Sequence, residues 1–313
     1  MSFFKAAQIY EIFRKIAIFV CIFTDKRMKD NLKILITNDD GYDSNGLRTL
    51  ARIMAAFGQV TVVAPKYHQS AMSMAVSLGF KKLAHKALPD MGPGEWSYLD
   101  ATPASCVKFG LEYMYPSRNP DVVVTGINHG SNAATAANYS ATLGSAEEGA
   151  LNGIRAIGVS VTDFNADGDL SAVERYFPGI FRFLMDHWPE GYGHLYNVNF
   201  PKCPVEEIRG IRFARQGRAH WVREFQSWDP DRLGDYFVME GHNCQVVDPP
   251  LEEGETAYMM IGDFIDDETA TGDADHRLNL ENWITITPNN LDRTDFADLE
   301  RLKGLAPDGL PLQ

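Results

Sequence analysis

The sequence predicts an α/β protein built on a mostly parallel sheet, and three observations point there. From Lys33 onward, short apolar runs alternate with stretches of helical period, as strands joined by crossover helices require. Runs such as 33–38 (KILITN) and 121–125 (DVVVT) read as buried strands. The chain has 313 residues, 45% of them hydrophobic and 23% charged, enough for a large core. Single cores stop growing near roughly 250 to 300 residues, so one main domain with an excursion is expected rather than two equal halves.

The elements follow in order. The first strand, 33–38, ends at Asp39-Asp40-Gly41. Leu47, Leu50, Ala51, Met54 and Phe57 recur at three- and four-residue intervals, which predicts a helix closed by Gly58. Residues 59–64 (QVTVVA) form the second strand, and Pro65 ends it before the polar loop 66–73. After the strand 121–125, residues 126–138 make a loop of Gly, Asn, Ser and Ala, whose small side chains let the backbone approach a ligand. A helix over 139–152 has Ser140 as its N-cap, and 156–161 (AIGVSV) and 195–200 (LYNVNF) are further strands. Beyond about residue 205 the runs shorten, and acidic residues cluster between Asp248 and Asp275, which reads as a β-rich excursion or arm. Residues 283–287 (WITIT) return to strand, and a closing helix spans 296–302. The division is then an N-terminal extension (1–31), a core (32–205), a β-rich arm with an acidic insertion (206–282), and a return strand with a C-terminal helix (283–313).

Charge and cysteine usage narrow the function. A net charge of −13 repels a phosphate backbone, so nucleic-acid duplexes are not expected partners, and any phosphate chemistry needs a local cation. The four cysteines form no CxxC pair, which fits a reducing cytoplasm better than a zinc site or a disulfide scaffold. Near the N-terminus the apolar run 16–23 is too short to span a bilayer, and no small-residue cleavage site follows it. It reads as an extension, with Met28 an alternative start.

Ligands of an open parallel sheet bind at the carboxyl ends of its strands, and three polar clusters fall there. Asp39-Asp40 follows the first strand, Ser70 lies in the loop after the second, and Asn128 with Asn132 follows the strand 121–125. Paired carboxylates with neutral oxygen donors suit Mg²⁺, Mn²⁺ or Ca²⁺ rather than zinc. The loop from Gly126 to Asn132, opening toward a helix N-terminus, suits a phosphate. Each element alone also has a plain structural reading: Asp-Asp-Gly as a turn and cap, Ser70 as a loop serine, the asparagines as turn formers. Their convergence favours a site. The eight histidines show no metal-ligand spacing, His68 and His129 read as solvated loop residues, and Lys108 reads as solvated. GxGxxG, GxSxG and P-loop patterns are absent.

Asn38-Asp39-Asp40-Gly41, Val63-Ala64-Pro65 with Ser70 downstream, Thr102-Pro103, Gly126-Ile127-Asn128 with Gly130 and Asn132, and Tyr139-Ser140 with Thr142 together resemble the SurE family. The resemblance covers roughly 32–215 and returns at 283–288 (WITITP), with weaker support at 197–201 (NVNFP) and 229–241. It implies a Rossmann-like three-layer sandwich with a C-terminal β-hairpin arm. It further implies a metal-dependent 5'-nucleotidase acting on nucleoside monophosphates, with broader 3'-nucleotidase or exopolyphosphatase activity, and a dimer or tetramer formed by arm exchange. One divalent cation per subunit would be held by Asp39, Asp40, Ser70 and Asn128, with Asn132, Ser140 and Thr142 lining the phosphate pocket. Asp39 and Asp40 would anchor the metal, and one of them would orient or deprotonate the attacking water. Two positions depart from the pattern: Ala71 and Ala141 stand where the family usually has glycine. If either glycine needs a positive φ, alanine there shifts the loop. Two other readings stand beside this one. A haloacid-dehalogenase-type phosphatase would use an aspartate as nucleophile but wants Asp-x-Asp, and an oligomeric stress protein could bind nucleotide or metal without turnover.

Overall fold

A computed structural model describes residues 31–79, 81–117, 119–229, 250–269 and 272–306. The N-terminal extension up to residue 30, most of the 229–241 stretch and the last seven residues lie outside them.

Nine strands form the main sheet: β1 (Leu32–Thr37), β2 (Gly58–Pro65), β3 (His85–Ala87), β4 (Glu95–Leu99), β5 (Val122–His129), β6 (Arg155–Val161), β7 (His194–Phe200), β8 (Gly210–Phe213) and β13 (Trp283–Asn290). Their order is β3-β4-β2-β1-β5-β6-β7-β13-β8. The six strands from β4 to β7 are mutually parallel, and β13 joins antiparallel to β7 with β8 parallel to β13 at the edge. The chain therefore builds outward through β1, β2 and β4, then crosses back to lay β5 on the other side of β1. This is the doubly wound order, and β1 with β5 marks its switch point, where the following loops diverge and leave a crevice.

Among the described residues the α-helices are α1 (Asn45–Met54), α2 (Pro103–Phe109), α3 (Ala141–Leu151), α4 (Ser171–Asp186), α5 (Asp275–Leu280) and α6 (Phe296–Leu305). Alternate residues of β1 explain the three layers. Ile34 and Ile36 join a core with Leu47, Leu50 and Met54 of α1 and Phe177, Ile180 and Phe181 of α4. Leu35 points the other way, into a core with Cys106 and Val107 of α2 and Ala146 and Ala150 of α3. A strand covered on both faces is apolar through its middle, which is why β1 centres on Ile34-Leu35-Ile36 between Lys33 and Thr37.

Local chemistry sets the helix starts. Ser44 and Ser140 cap α1 and α3, each accepting a hydrogen bond from the backbone N–H three residues on. Pro103 opens α2. α1 stops at Met54, ahead of Gly58, which begins β2. Residues 134–138 form a 3₁₀ turn, so α3 starts two residues later than the periodicity predicts.

Past β8 the chain forms a ribbon. β9 (Ala219–Val222) pairs with β12 (Asp263–Asp266), and β10 (Phe225–Ser227) with β11 (Tyr258–Met260), both antiparallel. The acidic run is not uniformly solvated. Asp275 is fully buried and accepts hydrogen bonds from the backbone N–H groups of Ala134, Gly217 and His276 at 2.8–3.2 Å. Those donors lie on the 3₁₀ turn, the root of the ribbon and α5, so one carboxylate ties the ribbon to the loop after β5. Lys108 is not simply solvated either: its Nζ lies 2.8 Å from Oε1 of Glu148, whose side chain is buried. Burying that carboxylate requires a paired cation.

Candidate active site

The carboxyl end of β1 delivers Asp39 and Asp40 into the switch-point crevice, 3% and 1% exposed. Asn38 supports them from beneath, donating through Nδ2 to Gly41 O at 3.0 Å and to Ser44 Oγ at 2.8 Å. The loop after β2 closes one side. Gln69 N–H donates to Asp39 O at 2.7 Å, and Ser73 N–H donates to Tyr139 O at 2.9 Å, so this loop bridges the β1 turn and the entry to α3. Gly144 permits that approach, because a Cβ there would fall 2.1 Å from Ser73 O. Ser70 sits exposed on the same loop, one residue from the Gln69 anchor.

Where the sequence suggests a loop from residue 126, β5 continues through an irregularity to His129. Gly126 makes the continuation possible: its φ is +121°, and a Cβ would lie 2.2 Å from Val159 O of the neighbouring strand. The longer strand carries Asn128 and His129 to the crevice. Asn128 Nδ2 donates to Gly130 O at 2.8 Å, so its amide donor is spent inside the turn. His129 is not a solvated loop residue. Its backbone N and ring Nδ1 both lie 3.3 Å from Asp40 Oδ2, and its side chain is 1% exposed. His68 is also drawn in, with Nδ1 3.4 Å from Asp40 Oδ1. Two imidazoles therefore flank one carboxylate, an arrangement without any short sequence spacing to announce it.

The phosphate candidates fall on two supports. Ser140 Oγ accepts from Leu143 N–H at 3.1 Å, and Thr142 Oγ1 donates to Asp39 Oδ1 at 2.6 Å. Thr142 therefore orients the carboxylate directly. The N–H groups of Ala141 and Thr142, in the first turn of an 11-residue helix, have no intrahelical acceptor. Asn132 is locked by β6 and β7: its N–H donates to Asn199 Oδ1 at 3.0 Å, its Nδ2 to Ser160 Oγ at 2.7 Å, and its carbonyl accepts from Asn197 Nδ2 at 2.8 Å. Asn197 and Asn199 thus hold Asn132 in place, and the sequence shows them only as part of NVNFP.

The electrostatics follow from burial. Asp39 is pushed up to about 7, first by loss of solvent and then by the charge of Asp40, with the Thr142 hydrogen bond only partly offsetting both. Burial would raise Asp40 too, but hydrogen bonds and charge from His129 and His68 outweigh it and hold that carboxyl below the usual range. For His68, burial opposes the charged ring, while contact with Asp40 and the charges of both aspartates raise its pKa overall. Two adjacent buried carboxylates thus compete for too little positive charge.

A divalent cation fits this set. Among the described residues no three His, Cys, Asp or Glu side chains converge as a metal cluster, so an ion would rest on two carboxylates and neutral oxygens, the donor type of Mg²⁺ and Mn²⁺. Asn38 Oδ1 is buried without a hydrogen-bond partner beneath the pair. The two family departures behave differently. Ala71 adopts φ +59°, the left-handed region that glycine favours, yet its loop keeps both anchors through Gln69 and Ser73. Ala141 is an ordinary helical residue.

Comparison with known proteins places the chain in a family. The family model described as Survival protein SurE matches residues 34–223. A relative from Cytophaga hutchinsonii named 5'-nucleotidase SurE is 34% identical over 270 residues, 86% of this chain and 95% of the relative. One of the same name from Flavobacterium johnsoniae is 36% identical over 278 residues, 88% and 97% of the two chains. The crystal structure of the SurE protein from Aquifex aeolicus superposes with a TM-score of 0.66 at 25% identity, covering 87% of this chain and 98% of that one. With the family model and these relatives spanning most of its length, the chain belongs to the SurE family.

Proposed function

We propose that the protein is a divalent-metal-dependent phosphomonoesterase that hydrolyses nucleoside 5'-monophosphates to nucleoside and phosphate. The observation that carries this reading is the buried Asp39–Asp40 pair at the switch point, with Asp39 pushed up to about 7. Such a pair is costly to bury unless a cation neutralises it. Asp39, Asp40, Ser70 and the carbonyl of Asn128 would hold the ion, and Mg²⁺ or Mn²⁺ matches these hard oxygens. When bound, the ion supplies positive charge that polarises a phosphoryl oxygen and acidifies a water. The protein's own residues do the rest. Thr142 fixes the rotamer of Asp39, and His129 and His68 fix Asp40. The free N–H groups at the start of α3, with Asn132 and Ser140, would bind the phosphate oxygens and stabilise charge that grows on them.

Two features support association with a second copy through the β9–β12 ribbon. The ribbon is built of paired antiparallel strands that follow the edge strand β8, and it exposes Phe225, Tyr258, Met260 and Phe264. Exposed apolar area of this kind would be covered if a second copy docked there. Free thiols at Cys106 and Cys203 fit a reducing, cytoplasmic setting. Among the described residues, no helix is long and apolar enough to cross a membrane.

The test is phosphate release from a panel of nucleoside monophosphates by metal-stripped protein, before and after Mg²⁺ or Mn²⁺ is returned. Activity that appears only with metal supports the reading. Nucleotide binding without release at any metal concentration replaces it with a non-catalytic binder.

A further inference from the structure

An exposed aromatic side chain lies against the backbone of Gly130, two residues past the candidate metal ligand Asn128. Phe164 follows the end of β6 at Val161, and it is 59% exposed. A Cβ placed on Gly130 would fall 2.9 Å from its Cε1 and 3.1 Å from its Cδ1. The ring therefore rests against the Gly130 backbone, on the turn whose carbonyl receives the Asn128 amide. Single exposed apolar side chains are common and by themselves mean little. This one sits on a fixed backbone beside the candidate metal ligands. Thr162 N–H donates to Phe200 O at 2.9 Å, and Thr162 Oγ1 accepts from Lys202 N–H at 2.6 Å. Asp163 Oδ1 accepts from Lys202 Nζ at 2.8 Å and from Asn165 N–H at 3.2 Å.

A ring already held in place loses little freedom when a planar group settles on it. Aromatic faces stack nucleobases with little regard to sequence, because every base has a π face. We infer that Phe164 is the platform on which the nucleobase of a bound nucleoside monophosphate stacks, a role that rests on the nucleotidase reading above. The residue sets preference for base-bearing substrates and takes no part in bond breaking. Purine and pyrimidine nucleotides are then both accepted.

The test compares steady-state kinetics of the metal-replete full chain on adenosine 5'-monophosphate, uridine 5'-monophosphate and ribose 5-phosphate, which lacks a base. Phe164→Ala raises KM for both nucleotides about five- to tenfold, the lower end of the stacking range, and the loss is confined to them. Phe164→Leu, which keeps apolar bulk and so guards against misfolding, gives a base-selective rise of the same sign. Phe164→Tyr keeps the aromatic face and restores wild-type KM. Equal effects on all three substrates, or no effect, overturn the role. So does a base-selective loss in Tyr139→Ala alone, since Tyr139 is 61% exposed beside Ser140. A wild type that releases no phosphate from nucleotides overturns the nucleotidase reading and this role with it. Nucleotide turnover without base-selective loss overturns the stacking role only.

Discussion

Thr142, in the first turn of α3, gives its hydroxyl proton to Asp39 Oδ1 at 2.6 Å, across 103 residues of chain. The contact couples the helix that would face phosphate to the carboxylate that would hold the metal. Partners that orient a metal ligand typically carry 10- to 100-fold in metal affinity or activity. Thr142→Val keeps the branched shape and removes the donor, so it lowers kcat/KM by about 10- to 100-fold at limiting Mn²⁺. Thr142→Ser keeps the donor and stays near wild type. Kinetics at several metal concentrations check both.

His129 makes the corresponding contact with Asp40. His129→Phe fills the same buried space without a ring nitrogen, and it lowers metal affinity by about 10-fold or more. Titration of Mn²⁺ into the metal-stripped variant measures this directly. An unchanged affinity would make His129 a packing residue.

The raised pKa of Asp39 has a defined sign. Its folded value, about 7, lies above the ordinary 3.8, so in metal-free protein its contribution to stability is fully present below pH 4 or so and is lost as pH rises through about 7. Across that window the folded state holds a proton that the unfolded chain has released. Denaturant midpoints of metal-free wild type therefore fall between pH 5 and pH 8 more steeply than those of Asp39→Asn. Metal binding displaces the same proton, so calorimetry in buffers of different ionisation enthalpy records proton uptake by buffer at pH 6 and much less at pH 8.

Ala71 holds a left-handed φ of +59°. That conformation costs a residue with a Cβ roughly 1–2 kcal/mol, partly offset by the greater unfolded-state freedom of glycine, about 0.4–1 kcal/mol. Ala71→Gly therefore raises stability by up to about 1.5 kcal/mol, a Tm gain of a few degrees. Ala141→Gly has no strain to relieve and lowers stability by about 0.5–1 kcal/mol. Thermal unfolding of the two variants distinguishes the sites.

Much of this was legible in residue patterns, for reasons the structure makes concrete. β1, β2, β5 and β6 are covered on both faces, so each is centred on a short apolar run such as Ile34-Leu35-Ile36 or Val122-Val123-Val124, and Ser140 announces α3 by its capping chemistry. Asp39-Asp40 and Asn128 stand at strand ends, where a parallel sheet places its ligands. What was not legible depends on contacts between distant segments. α4 carries Pro178 inside it, which blurs its helical pattern. His68 reaches Asp40 from the loop after β2 and His129 from the end of β5, and only the pairing of β2 and β5 on either side of β1 brings them together. Asp275 lies in an acidic run that composition alone assigns to solvent, yet three backbone N–H groups from three segments bury it.

The central claim is that Asp39 and Asp40 anchor a catalytic divalent ion. Its most direct test is Mn²⁺ titration into metal-stripped wild type and Asp39→Asn at pH 7.5, with phosphate release followed in the same samples. The account predicts one ion per subunit in the wild type, restoring turnover, and in the variant an affinity at least about 100-fold weaker with turnover abolished. Equal Mn²⁺ affinity and full metal-dependent turnover in Asp39→Asn would contradict it.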